Sequence, residues 1–476
     1  MLPNDVPTIA AISDIFASHL PPFPTGTRRL LPWLTLVFAA LLVVPLTLQP
    51  KLGIALLGAT VICLTASISV AIPLGLIGFA APIVAVLGHD PFPSKAVPLI
   101  TFAWLALAVA FALARGTRVS LRAAVSTPLV LCTIGLLALL LLRLPASTDS
   151  AYGSFKLQLF VISNLAVLGA GIVLGRRGVR EIDLFLLLTL SIDALSGILV
   201  LRQFGISGAG PTDRFGLPQQ SVIELGVQGA EGLMVATYFL VRGTRRWQQM
   251  VAACLLPVTL VALLASGSRG PVLGGAAGLL ALLALLARTR EAALRLVVLA
   301  VIAVASFAAV LQLVPSSAVN RSLSTITGTQ SGLQSNGRDQ LWNAGWKTFV
   351  DHPVLGVGTG SFATVARRDV CPGPGCRDKY PHNVLLETAA ELGIGGLVLM
   401  LGILASAWLV ILRAWRRVDP PDARAAIVFG MFVASATTAM LTGDLTGHSS
   451  IWLTGGIGVG LTLATARRRT PPVPRV

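Results

Sequence analysis

Val97 to Arg115 reads VPLITFAWLALAVAFALAR, eighteen consecutive uncharged residues closed by an arginine. A bilayer core of roughly 30 Å is crossed by about 20 apolar residues of helix, so this run predicts a transmembrane helix rather than a core helix of a soluble domain. Runs of the same kind precede it at Leu30 to Leu48, Leu52 to Ser69 and Val70 to Leu87. They follow it at Thr127 to Leu142, Phe155 to Leu174, Ile182 to Leu201, Val222 to Val241, Met250 to Ala265, Pro271 to Ala287, Ala292 to Val314, Thr388 to Leu412, Ala425 to Leu441 and Ile451 to Ala464. Leu52 to Ser69 and Val70 to Leu87 are short and abut without a charged turn. They read as two spans or as one re-entrant hairpin, and the expectation is an all-α polytopic membrane protein of 12 to 14 transmembrane helices.

Composition agrees. Of 476 residues, 54% are apolar and only 12% charged, and the mean hydropathy is +0.81. These values exclude a secreted enzyme and a disordered chain, and the long unalternating runs exclude an outer-membrane barrel. The formal charge of +16 would suggest a nucleic-acid partner in a soluble protein. Here the basic residues sit mostly in short loops between apolar runs, so no nucleic acid is expected.

Basic residues in short loops tend to stay in the cytoplasm. Grouping Arg115, Arg118 and Arg122 with Arg176, Arg177 and Arg180, and continuing in alternation, puts 22 of the 36 basic residues inside. Seven of the remainder lie in one long loop between Pro315 and Pro381. The expected organisation is a cytoplasmic tail over 1–29, a helical bundle over 30–314, a long periplasmic loop over 315–381, further transmembrane helices over 382–466 and a cytoplasmic tail over 467–476. In this reading both termini are cytoplasmic, and all five lysines fall outside with His89, His352, His382 and His448. The external face is therefore the working face.

Chemistry-bearing residues gather there. Tyr380-Pro381-His382-Asn383 opens a helix that continues through Glu387 and Glu391 to Gly393 and Gly396. A neutral imidazole at such a mouth can take a proton from a hydroxyl, and the helix N-terminus favours an anionic ligand. The plain alternative is a histidine that caps the helix. Arg269, in Ser266-Gly267-Ser268-Arg269-Gly270, stands in a short external turn where positive charge opposes the orientation rule, so an anion is its natural partner. Arg214, beside Asp213, shares that side and forms either an anion contact or a local ion pair. Glu224, Gln228 and Glu231 fall at i, i+4 and i+7 on one helical stripe, which reads as the wall of an acceptor cavity or as helix-to-helix hydrogen bonding. Asp193 sits mid-span, and Asp444 and His448 read as a solvated turn. Gly356, Gly358 and Gly360 do not have dinucleotide spacing and follow no βαβ unit. Glu181 and Asp183 read as charges at a helix start.

Three cysteines, Cys63, Cys132 and Cys254, fall in apolar runs; Cys371 and Cys376 flank Pro372-Gly373-Pro374-Gly375 in the long loop. That pair is expected as a short disulfide stiffening the approach to His382. Only His382 could join it around zinc, so neither a metal nor a cofactor is expected.

Several of these motifs together resemble one family, the O-antigen ligase and Wzy-type polymerase superfamily. They are Arg214-Phe215-Gly216 before a helix, the Ser268-Arg269-Gly270 turn, and Gly337-Arg338 through Trp342 to His352-Pro353-Val354-Leu355-Gly356-Val357-Gly358. The last is His382-Asn383 with Leu385, Glu391, Gly393 and Gly396. They occupy residues 210 to 400 in the family's order, whereas the N-terminal 200 residues are similar only in hydropathy. The resemblance implies a GT-C-like glycosyltransferase of the bacterial inner membrane that takes a glycan from an undecaprenyl-diphosphate carrier on the periplasmic face, without a metal and with inversion. The acceptor is lipid A core in a ligase and another carrier-linked repeat in a polymerase, and the reading leans to the ligase. His382 is then the base or the acceptor-orienting group. Arg214, Arg269 and Arg338 form the diphosphate clamp, and Glu224, Glu231, Asn383 and Glu391 border the acceptor. A polysaccharide or lipid transporter is the rival from another class, but it needs paired halves with matching broken helices, which the sequence does not display.

Overall fold

A computed structural model describes residues 50–87, 96–207, 215–218, 220–243, 245–287, 338–366, 380–417 and 423–468, with scattered positions between 305 and 319. Among the described residues there are helices and no strands. The chain is an all-α polytopic membrane protein. The helices are α1 Pro50–Ile68, α2 Ala71–Gly75, α3 Ala80–Leu87, α4 Ala96–Ala114, α5 Leu121–Val125, α6 Pro128–Arg143, α7 Ser150–Arg177 and α8 Val179–Ser207. There follow α9 Val222–Arg242, α10 Arg246–Ala265, α11 Arg269–Leu286, α12 Arg338–Asp351, α13 Phe362–Ala366, α14 Val384–Arg416, α15 Ala423–Thr442 and α16 Ser450–Arg468. Eight of them are long and apolar enough to cross a membrane. Among the described residues, each expected span coincides with a helix except Val70 to Leu87, which breaks into α2 and α3. Leu30 to Leu48, nearly all of Ala292 to Val314, Arg214, Cys371 and Cys376 lie outside the described residues.

Lipid chains offer no hydrophobic gain for bringing two apolar helices together, so close backbone packing between small residues has to hold the bundle. Gly171 and Gly175 of α7 face Gly456 and Gly460 of α16. A Cβ on Gly175 would lie 2.4 Å from the Ile457 carbonyl oxygen, and one on Gly460 2.3 Å from that of Ile172. Gly274 and Gly278 of α11 meet the Ala434 and Gly430 carbonyls of α15 in the same way.

Two helices depart from regularity where they approach the site. In α7, Phe160–Leu165 forms a π-helical turn. In α14, Gly393 takes φ 68°, ψ −160°, which divides the helix into a short half, residues 384–392, and a long half beginning at Ile394. The loop from His352 to Ser361 docks in that break. Val357 and Gly358 donate their N–H groups to the Ala390 and Glu391 carbonyls at 3.0 and 2.9 Å, and Ile394 donates to the Pro353 carbonyl at 2.8 Å. The kink frees carbonyls of the short half-helix, and the loop satisfies them. Gly356, at φ 64°, passes so close that a Cβ there would sit 2.3 Å from the Glu391 carbonyl carbon. These glycines serve backbone contact within the fold.

The turns also sort by side. Arg143 accepts from Thr359 N–H at its carbonyl, Thr148 N–H donates to Ser361 Oγ, and Phe215 N–H donates to the Ala265 carbonyl. At the other end of the bundle, Arg176 donates to the Arg118 and Leu463 carbonyls, and Arg424 forks onto Asp183 with two contacts of 2.8 Å. Glu181, which read as a helix-start charge, pairs with Arg177 one turn before it and accepts from Ser69 Oγ.

Candidate functional site

The C-terminal end of α15 is where the expected site residues meet. A helix ends in carbonyls without intrahelical partners and carries partial negative charge there, so cationic donors are drawn to it. Arg338, the first residue of α12, donates from Nη1 to the Leu441 carbonyl at 3.1 Å. His382 places Nδ1 3.3 Å from the next carbonyl, that of Thr442. A carbonyl only accepts, so this contact puts the hydrogen on Nδ1 and the basic lone pair on Nε2. Arg269 opens α11, and its neighbour Gly270 packs so tightly on Thr442 that a Cβ would lie 2.3 Å from Thr442 Cγ2. Thr438 Oγ1 donates to the Gly270 carbonyl at 3.4 Å, fixing the same approach. Three residues from segments more than 40 positions apart are thus assembled around Leu441 and Thr442, and all three are half-buried.

His382 does not cap the helix it precedes. Asn383 does, its Oδ1 accepting from the Leu385 and Leu386 N–H groups at 3.0 Å each. His382 has φ 56°, and among the described residues it is the one non-glycine residue with a positive φ. A histidine is held in this sparsely populated region only when its surroundings over-determine it. Here the determinants are the Asn383 cap, the Thr442 contact and the Tyr380 ring, whose centroid lies 4.5 Å from the imidazole at 66°. Pro381 and Leu386 pack against Gly345 of α12, so the histidine and Arg338 rest on one scaffold.

Beneath this mouth lies a charged cluster that sequence reading missed. Lys156, expected on the external side with the other lysines, is 1% exposed inside the bundle. It forms ion pairs with Glu387 and Glu391, the latter at 2.5 Å, and these carboxylates are 0% and 1% exposed. Lys156 is the second residue of the apolar run Phe155 to Leu174, and hydropathy counting does not show which partner a charge at the edge of a run will meet. A signal did exist in the partners. Two carboxylates at i and i+4 of an apolar helix share one face, and a buried pair of this kind calls for a cation. Glu391 Oε2 also accepts from Gly360 N–H at 2.9 Å, so it supports the glycine loop. Glu387 Oε2 accepts from Leu445 N–H at 2.7 Å.

The stripe on α9 divides. Glu224 is exposed and closes a capping box with Ser221. Gln228 accepts from Ser196 Oγ at 3.1 Å, a helix-to-helix hydrogen bond, and Glu231 accepts from Ser450 Oγ at 2.8 Å at the start of α16. Asp193 is 3% exposed, and among the described residues its Oδ2 has no hydrogen-bond partner. The turn between α15 and α16 is less solvated than its sequence suggests. Asp444 accepts from Gly447 N–H and Thr446 Oγ1, while His448 is 7% exposed and lies against Gly443. Burial pushes the His448 pKa down to about 4, against the opposing pull of the Asp444 carboxylate.

Residues 252–401 match the family model described as O-antigen ligase. That segment, about a third of the chain, is similar to the O-antigen ligase family. The match contains Arg269, Arg338, His382, Asn383 and Glu391, and it bears out the resemblance read from the motifs. Lys156, Arg214, Glu224 and Glu231 precede it. No curated protein matches the chain. At the level of the family, the O-antigen ligase domain belongs to membrane enzymes of the ligase and polymerase type that act on lipid-linked glycans.

Proposed function

We propose that this chain transfers a glycan from an undecaprenyl-diphosphate carrier to an acceptor hydroxyl at the periplasmic face of the inner membrane, acting as an O-antigen ligase with lipid A core as acceptor. The observation that carries the reading is the convergence of Arg269, Arg338 and His382 on the Leu441–Thr442 helix end, inside the segment that matches the O-antigen ligase family. The acceptor oxygen attacks the anomeric carbon while the bond from that carbon to the diphosphate oxygen breaks. His382 Nε2 takes the acceptor proton, and Nδ1 stays bonded to the Thr442 carbonyl, which keeps the ring in the required tautomer. The charge released on the diphosphate falls to Arg269 and Arg338, whose planar forks suit phosphate oxygens, with Arg214 as a third member of the clamp. The N-termini of α11 and α14 add partial positive charge on the same side. With these cations the transfer proceeds without a metal, and the direct displacement inverts the anomeric centre.

The test is the glycan profile of a deletion strain complemented with the wild-type chain, Arg269→Ala or His382→Ala, separating lipid-A-linked from carrier-linked material. A ligase leaves long polymer on undecaprenyl diphosphate and bare lipid A core when either residue is lost. Single carrier-linked repeats accumulating would instead make the chain a polymerase, and unchanged glycans in all strains would refute the glycosyltransferase reading.

A further inference from the structure

We infer that Lys156 and Glu387 are positioning residues for His382, a role that rests on the proposed function. Two carboxyl groups share one ammonium inside a membrane bundle, and among the described residues Glu391 Oε1 has no hydrogen-bond partner. Such a group is costly to desolvate, and an apolar replacement of similar volume often stabilises a fold as well or better. Stability therefore does not account for it. Its connections do.

His382 is fixed at two points, its backbone at the start of the half-helix 384–392 and its ring at the Thr442 carbonyl. The half-helix has only nine residues and is cut from the rest of α14 by the Gly393 break, too short to hold its direction without tertiary ties. Lys156 supplies a tie through Glu387 and Glu391, one turn apart on its buried face. The second fixed point is governed by the same cluster. Glu387 Oε2 accepts from Leu445 N–H at 2.7 Å, and Asn164 Nδ2, two turns beyond Lys156 on α7, donates to the Leu445 carbonyl at 2.9 Å. Leu445 stands three residues after Thr442, so both peptide faces of the turn that presents the Thr442 carbonyl are held by α7 and Glu387. The Lys156 cluster thus ties together the two anchors of one imidazole. The π-helical turn at Phe160–Leu165 begins one turn after Lys156 and contains its helper Asn164, a feature frequent at functional sites.

The experiment compares the wild-type chain, His382→Ala and the triple variant Lys156→Met, Glu387→Gln, Glu391→Gln, which removes all the charge at nearly constant volume. Purified full-length chains are assayed with a carrier-linked glycan donor for kcat, KM and the pH–rate profile, and their Tm is followed in detergent. A misplacement of about 1 Å can cost about 10²-fold in rate, so the triple variant is expected to lose on that order in kcat with donor KM and Tm little changed. Wild-type kcat and pH profile in the folded triple variant, with His382→Ala inactive, would overturn the positioning role alone. Full activity in His382→Ala would instead remove the proposed base. Should the triple variant not fold, Glu387→Gln decides the matter. Its amide oxygen can still accept from Leu445 while its attraction to Lys156 weakens, so a fall in kcat at constant KM supports the inference and an unchanged kcat overturns it.

Discussion

At His382 the local chemistry and the backbone disagree, and the disagreement is informative. A histidine at φ 56° is conformationally costly, yet a glycine or asparagine there would lose the contacts with Thr442 and Tyr380. The residue that caps the helix is Asn383, which leaves the imidazole available for a different task. His448 presents the opposite case, a histidine held neutral by burial. An unfolded histidine titrates near 6.5, so between that value and about 4 the unfolded chain binds a proton that the folded chain does not. The sign follows: this contribution to stability is complete above pH 6.5 and is lost as the pH falls toward 4. The expected loss is up to about 3 kcal/mol. Thermal unfolding of the wild-type chain and His448→Gln across pH 7.5 to 4 checks it, since the variant should show the shallower acid slope, and parallel slopes would refute the assignment.

Among the elements, the kink in α14 decides how the site is built, and Gly393 is its test. A Cβ at Gly393 would lie 2.3 Å from the Val354 carbonyl oxygen, and φ 68°, ψ −160° is a region that other residues hardly visit. Gly393→Ala should cost about 2–4 kcal/mol from strain and overpacking together. Gly169→Ala is the matched control, a helical glycine with nothing within 4 Å of its added Cβ, and it should gain about 0.5–1 kcal/mol. Two glycine-to-alanine changes of opposite sign in a detergent melt would establish the kink as a structural requirement; equal shifts would refute it. This element also marks where sequence reading ends. Hydropathy located the helices because each apolar run is a local property. Arg269, Arg338 and His382 were legible as polar residues at helix mouths in one order along the chain. The pairing of Gly356 with Glu391, or of Lys156 with Glu387, joins residues 35 and more than 200 positions apart, and no local pattern encodes which carbonyl a loop will meet. The spacing of Gly356, Gly358 and Gly360 excludes a dinucleotide loop, but it does not display their actual chemistry, which is close backbone contact.

For the molecule as a whole, the remaining question of direction follows from which turns touch. Thr148, Ser361, Leu441 and His382 belong to one end of the bundle, and Arg118, Arg176, Asp183 and Leu463 to the other. The proposed chemistry needs the first end in the periplasm, because a carrier-linked polymer and lipid A core meet there. The distribution of arginine agrees, since the second end carries the short basic turns that favour the cytoplasm. Thr148 and Ser120 are exposed positions at the two ends, which makes them suitable probes. With a membrane-impermeant maleimide on intact spheroplasts, Thr148→Cys should be labelled above the unsubstituted chain and Ser120→Cys only after the membrane is opened. The converse pattern would place Arg269, Arg338 and His382 on the cytoplasmic side, where the proposed acceptor is absent, and would force a different substrate on the same arrangement of residues.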